Sequence, residues 1–307
     1  MVPVQIIMAT YNGERYIKEQ IDSIIASTYK DWVLTIYDDG STDDTLSILK
    51  KYEKQYPEQI QVVKNKENKG VIGNFLQGVQ NSKLSYIMFC DQDDVWLPEK
   101  IKLTLTTMLQ EEKRRKNKPL SVFTDARVVD QDLTIIHESF FESNQLDPTK
   151  LDLAHMLMEN KLIGCTVMIN EGVKNLITTL PKKGRLHDWW IGLISATFGD
   201  IVFLPEQTLL YRQHSNNVVG NQSYLGYVMK RFRTIFKQKD SIKANYRQAA
   251  EFYQIYKNQI MDQQKKDLIE KFTALEHMPW YERKYTILKY GFLKTGMIRN
   301  IGLLLIV

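Results

Sequence analysis

Five short apolar runs punctuate the first half of the chain: VQIIMA from Val4, WVLTIY from Trp32, IQVVK from Ile60, YIMFC from Tyr86 and SVFTDA from Ser121. Between them lie amphipathic stretches of helical period over residues 15–26, 42–56 and 70–81. That alternation predicts βα units feeding a largely parallel sheet, an α/β architecture. Ser41 precedes Asp44 at capping-box-like spacing, so the second helix is expected to open there. The charge run EEKRRKNKP ends the next helical stretch and reads as a solvated helix end.

With 307 residues and 43% apolar content, the chain can build one large domain or a domain plus an appendage. The net charge of +5 hides an asymmetry: residues 228–307 hold 16 Lys and Arg against 7 Asp and Glu, and residues 1–227 hold 25 against 29. After the polar stretch YRQHSNNVVGNQS the pattern becomes helical and basic, which predicts an α/β domain over residues 1–225 and a helical region over 226–307. Cys90 and Cys165 sit in apolar surroundings far apart in sequence, as reduced core residues of a cytosolic protein do. MVPVQIIMATYNG has no basic leader and reads as a first strand, and the chain lacks the run of about 20 apolar residues that a spanning helix needs.

Polar clusters close three of the predicted strands: Thr10, Tyr11 and Asn12, then Asp38 and Asp39, then Asp91, Asp93 and Asp94. In an open α/β sheet those strand ends share one edge, and ligands bind in the crevice there. Asp91 and Asp93, two residues apart on a turn, can face a divalent cation that removes their repulsion and keeps substrate phosphate oxygens as further ligands. Aspartates after a strand also serve as turn and cap residues, and with Pro98 and Glu99 opening the next helix, Asp94 is assigned to the turn and to helping start that helix. In IYDDGSTDDT one carboxylate could accept from the imide N–H of a pyrimidine, or simply cap its turn.

The ordered set ATYNGERYIKEQIDSI, YDDGSTDDT, NKGVIGNF, DQDDVW, HDWW and YRQHSNN resembles the family-2 inverting glycosyltransferases. It covers roughly the first 220 residues and is more specific as a set than any one element. The texture is similar to rhamnosyltransferases that build rhamnose-rich cell-wall polysaccharides. The resemblance implies a GT-A fold, a Rossmann-like mixed sheet with flanking helices. It also implies that Thr10, Tyr11 and Asn12 with Asp38 or Asp39 hold the base and ribose of a nucleotide sugar, and that Asn68, Gly70 and Asn74 lie near the ribose and diphosphate. Asp91 and Asp93 match the family's DxD, with Asp93 the stronger ligand for Mg or Mn, and His214 matches a histidine that completes the metal site. Asp188 matches the catalytic base. Aromatic neighbours would raise its pKa, with Trp190 given to the core and His187 and Trp189 to the acceptor side. Arg212 is expected to help neutralise the diphosphate.

The expected reaction moves L-rhamnose from dTDP-rhamnose to a polyprenyl-diphosphate-linked saccharide; a UDP-hexose or UDP-N-acetylhexosamine is the alternative donor. A nucleotidyltransferase would carry a Gly-rich, Arg/Lys-bearing loop where TYNGERY stands, and a receiver-like module would leave HDWW and YRQHSNN unexplained. KRFRTIFKQK over residues 230–239 and the terminal IGLLLIV are amphipathic or apolar beside basic residues, as in helices that lie on an anionic membrane. Such helices serve equally to pack on the catalytic domain or on a second copy in a homo-oligomer. Peripheral attachment to the inner face of the cell membrane would present a lipid-linked acceptor to the crevice. Nucleic acid is not expected as a partner, because the acidic first domain repels phosphate.

Overall fold

The computed structural model describes residues 1–213 and 235–307. Strands β1 (Val4–Thr10), β2 (Trp32–Asp38), β3 (Ile60–Lys64) and β4 (Tyr86–Cys90) form the parallel half of a mixed sheet in the order β3-β2-β1-β4. Crossover helices α1 (Ile17–Ile25), α2 (Thr45–Gln55) and α3 (Gly70–Asn81) link them, as the apolar periodicity predicts. Thr10 pairs in register with Asp38, and Met8 with Cys90, so the three polar loops leave the sheet at one level. The crevice follows from that register.

The sheet then turns mixed. After β5 (Val95–Trp96) and helix α4 (Lys100–Arg114) comes the long β6 (Leu120–Val129), with β7 (Ile135–His137) hairpinned on it. Two short helices, α5 (Phe140–Asn144) and α6 (Leu153–Met158), precede β8 (Met168–Ile169), which wedges antiparallel between β4 and β6. Helices α7 (Glu171–Leu176) and α8 (His187–Phe198) lead to β9 (Asp200–Arg212), parallel to β6 and antiparallel to β5. The register of β6 and β9 shifts between Thr124 and Asp125, skipping Pro205 and Glu206. A proline tolerated at such a bulge hides this strand from a period-two reading.

Helix α8 is apolar nearly all round and buried from His187 to Thr197, the signature of a core helix. One side faces the sheet, and the other is covered by α9 (Ile235–Tyr256), whose Phe252 meets Trp190 edge-on at 5.3 Å. Helix α10 (Gln263–Ala274) packs beside α9, where Phe272 meets Tyr246 at 5.2 Å. Helices α11 (Trp280–Tyr290) and α12 (Met297–Ile306) end the chain. The sequence boundary at 225/226 lies outside the described residues, as does the first half of the 230–239 basic stretch. Among the described residues, no helix is long and apolar enough to cross a membrane.

Two local expectations are corrected. Helix α2 opens at Thr45 without a side-chain cap from Asp44; the Thr45 N–H goes to Asp43, and the Ser41 hydroxyl goes to Asp38 instead. Asp94 does not start α4, which begins at Lys100 with no side-chain cap.

Candidate active site

Gln92, the residue between the first two aspartates of DQDD, ties the fourth strand's loop to the first. Its Oε1 accepts from the Thr10 hydroxyl at 2.7 Å and the Tyr11 N–H at 2.9 Å, and its Nε2 donates to the Tyr11 carbonyl. Gly13 makes room for this side chain, since a Cβ there would stand 2.4 Å from Oε1. Asn12 takes left-handed backbone, which Asn tolerates, and ties the first loop to the second. It donates its N–H to Ser41 Oγ and accepts the Thr42 N–H on Oδ1 at 2.8 Å. Tyr11 is left half exposed above the crevice.

Asp38 and Asp39 have separate duties. Asp38 is fully buried and gathers the N–H groups of Gly40 and Ser41 and the Ser41 hydroxyl, so its carboxylate is committed to the turn, not to a nucleotide base. Asp39 reaches the third loop, accepting from Asn65 Nδ2 at 2.9 Å, the Lys69 N–H at 2.8 Å and the Gly70 N–H at 2.9 Å. Burial alone would raise its carboxyl, but those donors outweigh it and hold Asp39 below the ordinary carboxylate range. Asn74 sits behind, accepting the same Asn65 amide, while Asn68 accepts the Gly70 N–H and reaches the Asp39 carbonyl. Gly70 closes this loop and opens α3 with φ +65.

Below Gln92 the carboxylates crowd. One ligand atom each from Asp91, Asp94 and Cys165 lies within 4.8 Å of the others. Burial, then the charges of Asp94, Asp93 and Asp188, push the Asp91 carboxyl well up. Burial and the Asp93 charge raise Asp94 to about 7. Asp94 is buried, its Oδ1 accepts the Arg212 N–H at 3.1 Å, and its Oδ2 has no hydrogen-bond partner among the described residues. Crowded carboxylate oxygens and an orphaned buried one suit a hard divalent cation, whereas the Cys165 thiol, held protonated by burial, is a poor ligand for Mg or Mn. Of the expected set, Asp91 lies in this cluster with Asp94, Asp93 acts on both through its charge, and His214 lies outside the described residues. Lys100, unremarked in the sequence, is buried nearby with Nζ on Thr208 Oγ1 at 3.1 Å, and burial lowers it to about 8.

Arg212 does not face a diphosphate. It is 1% exposed and holds the DQDD loop from behind, with Nε on the Asp93 carbonyl at 2.8 Å, Nη1 on the Gln131 carbonyl, Nη2 on Glu19, and the guanidinium 4.5 Å over the Tyr16 ring. Antiparallel pairing of Val95 with Leu210 brings the end of β9 to this loop, which no local pattern announces.

Asp188 lies in the first turn of α8, close enough to the cluster for its charge to act on Asp91. Its Oδ1 accepts the Trp189 N–H at 2.8 Å, and its Oδ2 accepts from Asn160 Nδ2 at 2.9 Å. Asn160 is itself oriented: its Oδ1 takes the Leu162 N–H and its Nδ2 also reaches the Leu162 carbonyl, so the amide cannot flip without losing both. Burial raises Asp188 to about 6, against the hydrogen bond from Asn160.

The acceptor-side expectations for His187 and Trp189 are corrected. His187 stacks on Phe75 at 3.9 Å, burial lowers it to about 3, and neither ring nitrogen has a partner among the described residues. Trp189 is buried, with its indole N–H on the Met156 carbonyl at 2.6 Å and Arg185 at 5.1 Å over its ring. Trp190 is core, as expected. Gln92, Asn65 and Asn160 escape the sequence reading because each acts across loops; only the position of Gln92 inside DQDD hints at its role.

The profile of Glycosyl transferase family 2 matches residues 5–114, which span β1 through α4. The dTDP-rhamnosyl transferase RfbG of Shigella flexneri is 31% identical over 226 residues, 69% of this chain and 73% of that protein. The chain thus belongs to glycosyl transferase family 2 and is a glycosyltransferase. Among solved structures, S. aureus TarS 1-349 superposes with a TM-score of 0.58 at 17% identity, covering 90% of this chain and 72% of that one. A mannosyltransferase from Pyrobaculum calidifontis, in complex with GDP-Man and Mn2+, superposes with a TM-score of 0.53 at 14% identity, covering 95% and 74%. These likenesses establish the GT-A fold.

Proposed function

We propose that the chain is an inverting glycosyltransferase moving L-rhamnose from dTDP-rhamnose to a lipid-linked saccharide, with Asp188 as base. The observation that carries this reading is the Asn160-oriented Asp188 carboxylate set against the Asp91 cluster, a proton acceptor beside a seat for the donor. RfbG, named as a dTDP-rhamnosyl transferase, supports the donor. Thr10, Tyr11, Asn12 and Asp39 with Asn68, Gly70 and Asn74 would frame the nucleotide, and Asp91, Asp93 and Asp94 would hold Mg or Mn. When bound, the cation supplies charge neutralisation for the departing diphosphate. Asp188 takes the proton of the acceptor hydroxyl as that oxygen attacks the anomeric carbon; a single displacement inverts it without a glycosyl-enzyme. The test is turnover of dTDP-rhamnose and of UDP-sugars by the purified chain on a polyprenyl-diphosphate-linked acceptor, with and without chelator. Transfer from dTDP-rhamnose that chelator abolishes is expected; transfer only from a UDP-sugar would overturn the donor assignment.

Because Asp188 must be ionised to accept a proton, kcat/KM is expected to fall as pH drops through about 6. Asn160→Ala removes a bond that favours the ionised form, so its acidic limb moves to higher pH. A pH–rate profile superposing on that of the wild type would show that Asn160 does not tune the base.

A further inference from the structure

The C-terminal helices α11 and α12 present apolar faces that the described residues leave uncovered. On α11, Tyr281, Tyr285 and Leu288 recur at helical spacing along one exposed stripe, and each is more than half exposed. Lys284 and Lys289 lie on either side of that stripe, with Lys284 Nζ 4.9 Å over Trp280 and Lys289 Nζ 5.5 Å over Tyr285. On α12, Met297, Ile298, Ile301 and Leu305 make a second stripe, from 52% to 77% exposed. The one charge of α12, Arg299, turns inward to Glu159 at 3.0 Å and the Asn144 carbonyl at 2.6 Å, so the outward face has none.

We propose that these faces of α11 and α12 form a docking surface for an anionic lipid bilayer. Aromatic and aliphatic side chains bordered by lysines are the composition of a helix lying in a headgroup region. The charges bordering the stripe on α11 are Lys284 and Lys289, so two copies packed face to face would bring these like charges together, whereas anionic headgroups neutralise them. This deepens the reading above by naming the surface on which a lipid-linked acceptor is met.

The docked helix also joins the site. Glu159 accepts the Thr295 N–H at 2.8 Å and pairs with Arg299, and Lys161 reaches both Glu159 and the Thr295 hydroxyl. Asn160, between them, holds Asp188. Three consecutive residues thus grip the start of α12 with two side chains and the candidate base with the third. The start of α12 is thus tied, through residues 159–161, to the side chain that orients the candidate base.

The test is flotation of the full chain with vesicles of phosphatidylcholine, alone and with phosphatidylglycerol. Binding to the phosphatidylglycerol vesicles is expected, weakening with salt. Ile301→Glu with Leu305→Glu should lower partitioning roughly tenfold or more, because two exposed apolar anchors become anions. Lys284→Glu with Lys289→Glu should abolish the preference for the anionic vesicles. All four positions are solvent-facing or flank the stripe, so melting temperatures should stay at the wild-type value and report that the fold is intact. Absence of wild-type flotation, or flotation unaffected by Ile301→Glu with Leu305→Glu, would overturn the proposal. So would light scattering that shows a stable dimer dispersed by the same substitutions, because a second copy would then cover the face. Flotation needs no donor, so a wrong sugar assignment leaves this result standing, and failed flotation leaves turnover to judge the chemistry.

Discussion

Asp188→Asn is expected to lower turnover roughly a thousandfold while leaving nucleotide-sugar affinity unchanged. The amide keeps the volume and a carbonyl for the Trp189 N–H or for Asn160, but it cannot take a proton from the acceptor hydroxyl. Folding should not suffer, since the substitution removes a carboxylate whose charge burial already opposes. Donor binding by calorimetry beside initial rates separates the two properties. Turnover within tenfold of wild type would remove Asp188 from the base role and direct attention to Asp91, a carboxylate whose proton affinity is also raised and on which the Asp188 charge acts.

The second large effect concerns the back of the same loop. Arg212→Ala is expected to destabilise the fold by about 3 kcal/mol, because it strips a buried guanidinium from Glu19 and leaves the Asp93 and Gln131 carbonyls without their donor. For a domain of this size that is a fall of roughly 6–12 °C in melting temperature. Arg212→Lys should recover little of it, since an ammonium cannot reproduce the planar fork that reaches three partners. Donor affinity should drop in parallel, because the DQDD loop loses what holds its carbonyl side. A melting temperature at the wild-type value for Arg212→Ala would mean that the clamp adds nothing to stability.

The parallel half of the sheet is legible in the sequence because its signals are local. The run YIMFC predicts the fourth strand to the residue, and the polar loops after the first, second and fourth strands do meet at one edge. What local reading misses is carried by distant partners. Arg212 looks like a free cation in a polar segment, yet β9 delivers it beneath a loop more than a hundred residues earlier, where backbone carbonyls occupy it. His187 and Trp189 look like acceptor contacts beside a base, but α8 is sheathed on both sides and only its first-turn carboxylate faces the site. Asp94 reads as a turn residue and is instead the buried carboxylate of the cluster, a difference set by pairing of β5 with β9.

The cover that α9 lays over α8 bears on what counts as the catalytic unit. Phe252 and Tyr256 close over Trp190, Tyr256 donates to the Leu176 carbonyl, and Asn245 reaches Arg185 and the Met158 carbonyl. The helix that carries the candidate base therefore has one wall supplied from beyond residue 234. Evolution of the tail is tethered to that of the active centre: a substitution at the α8–α9 seam can move Asp188 without touching any residue that meets the sugar.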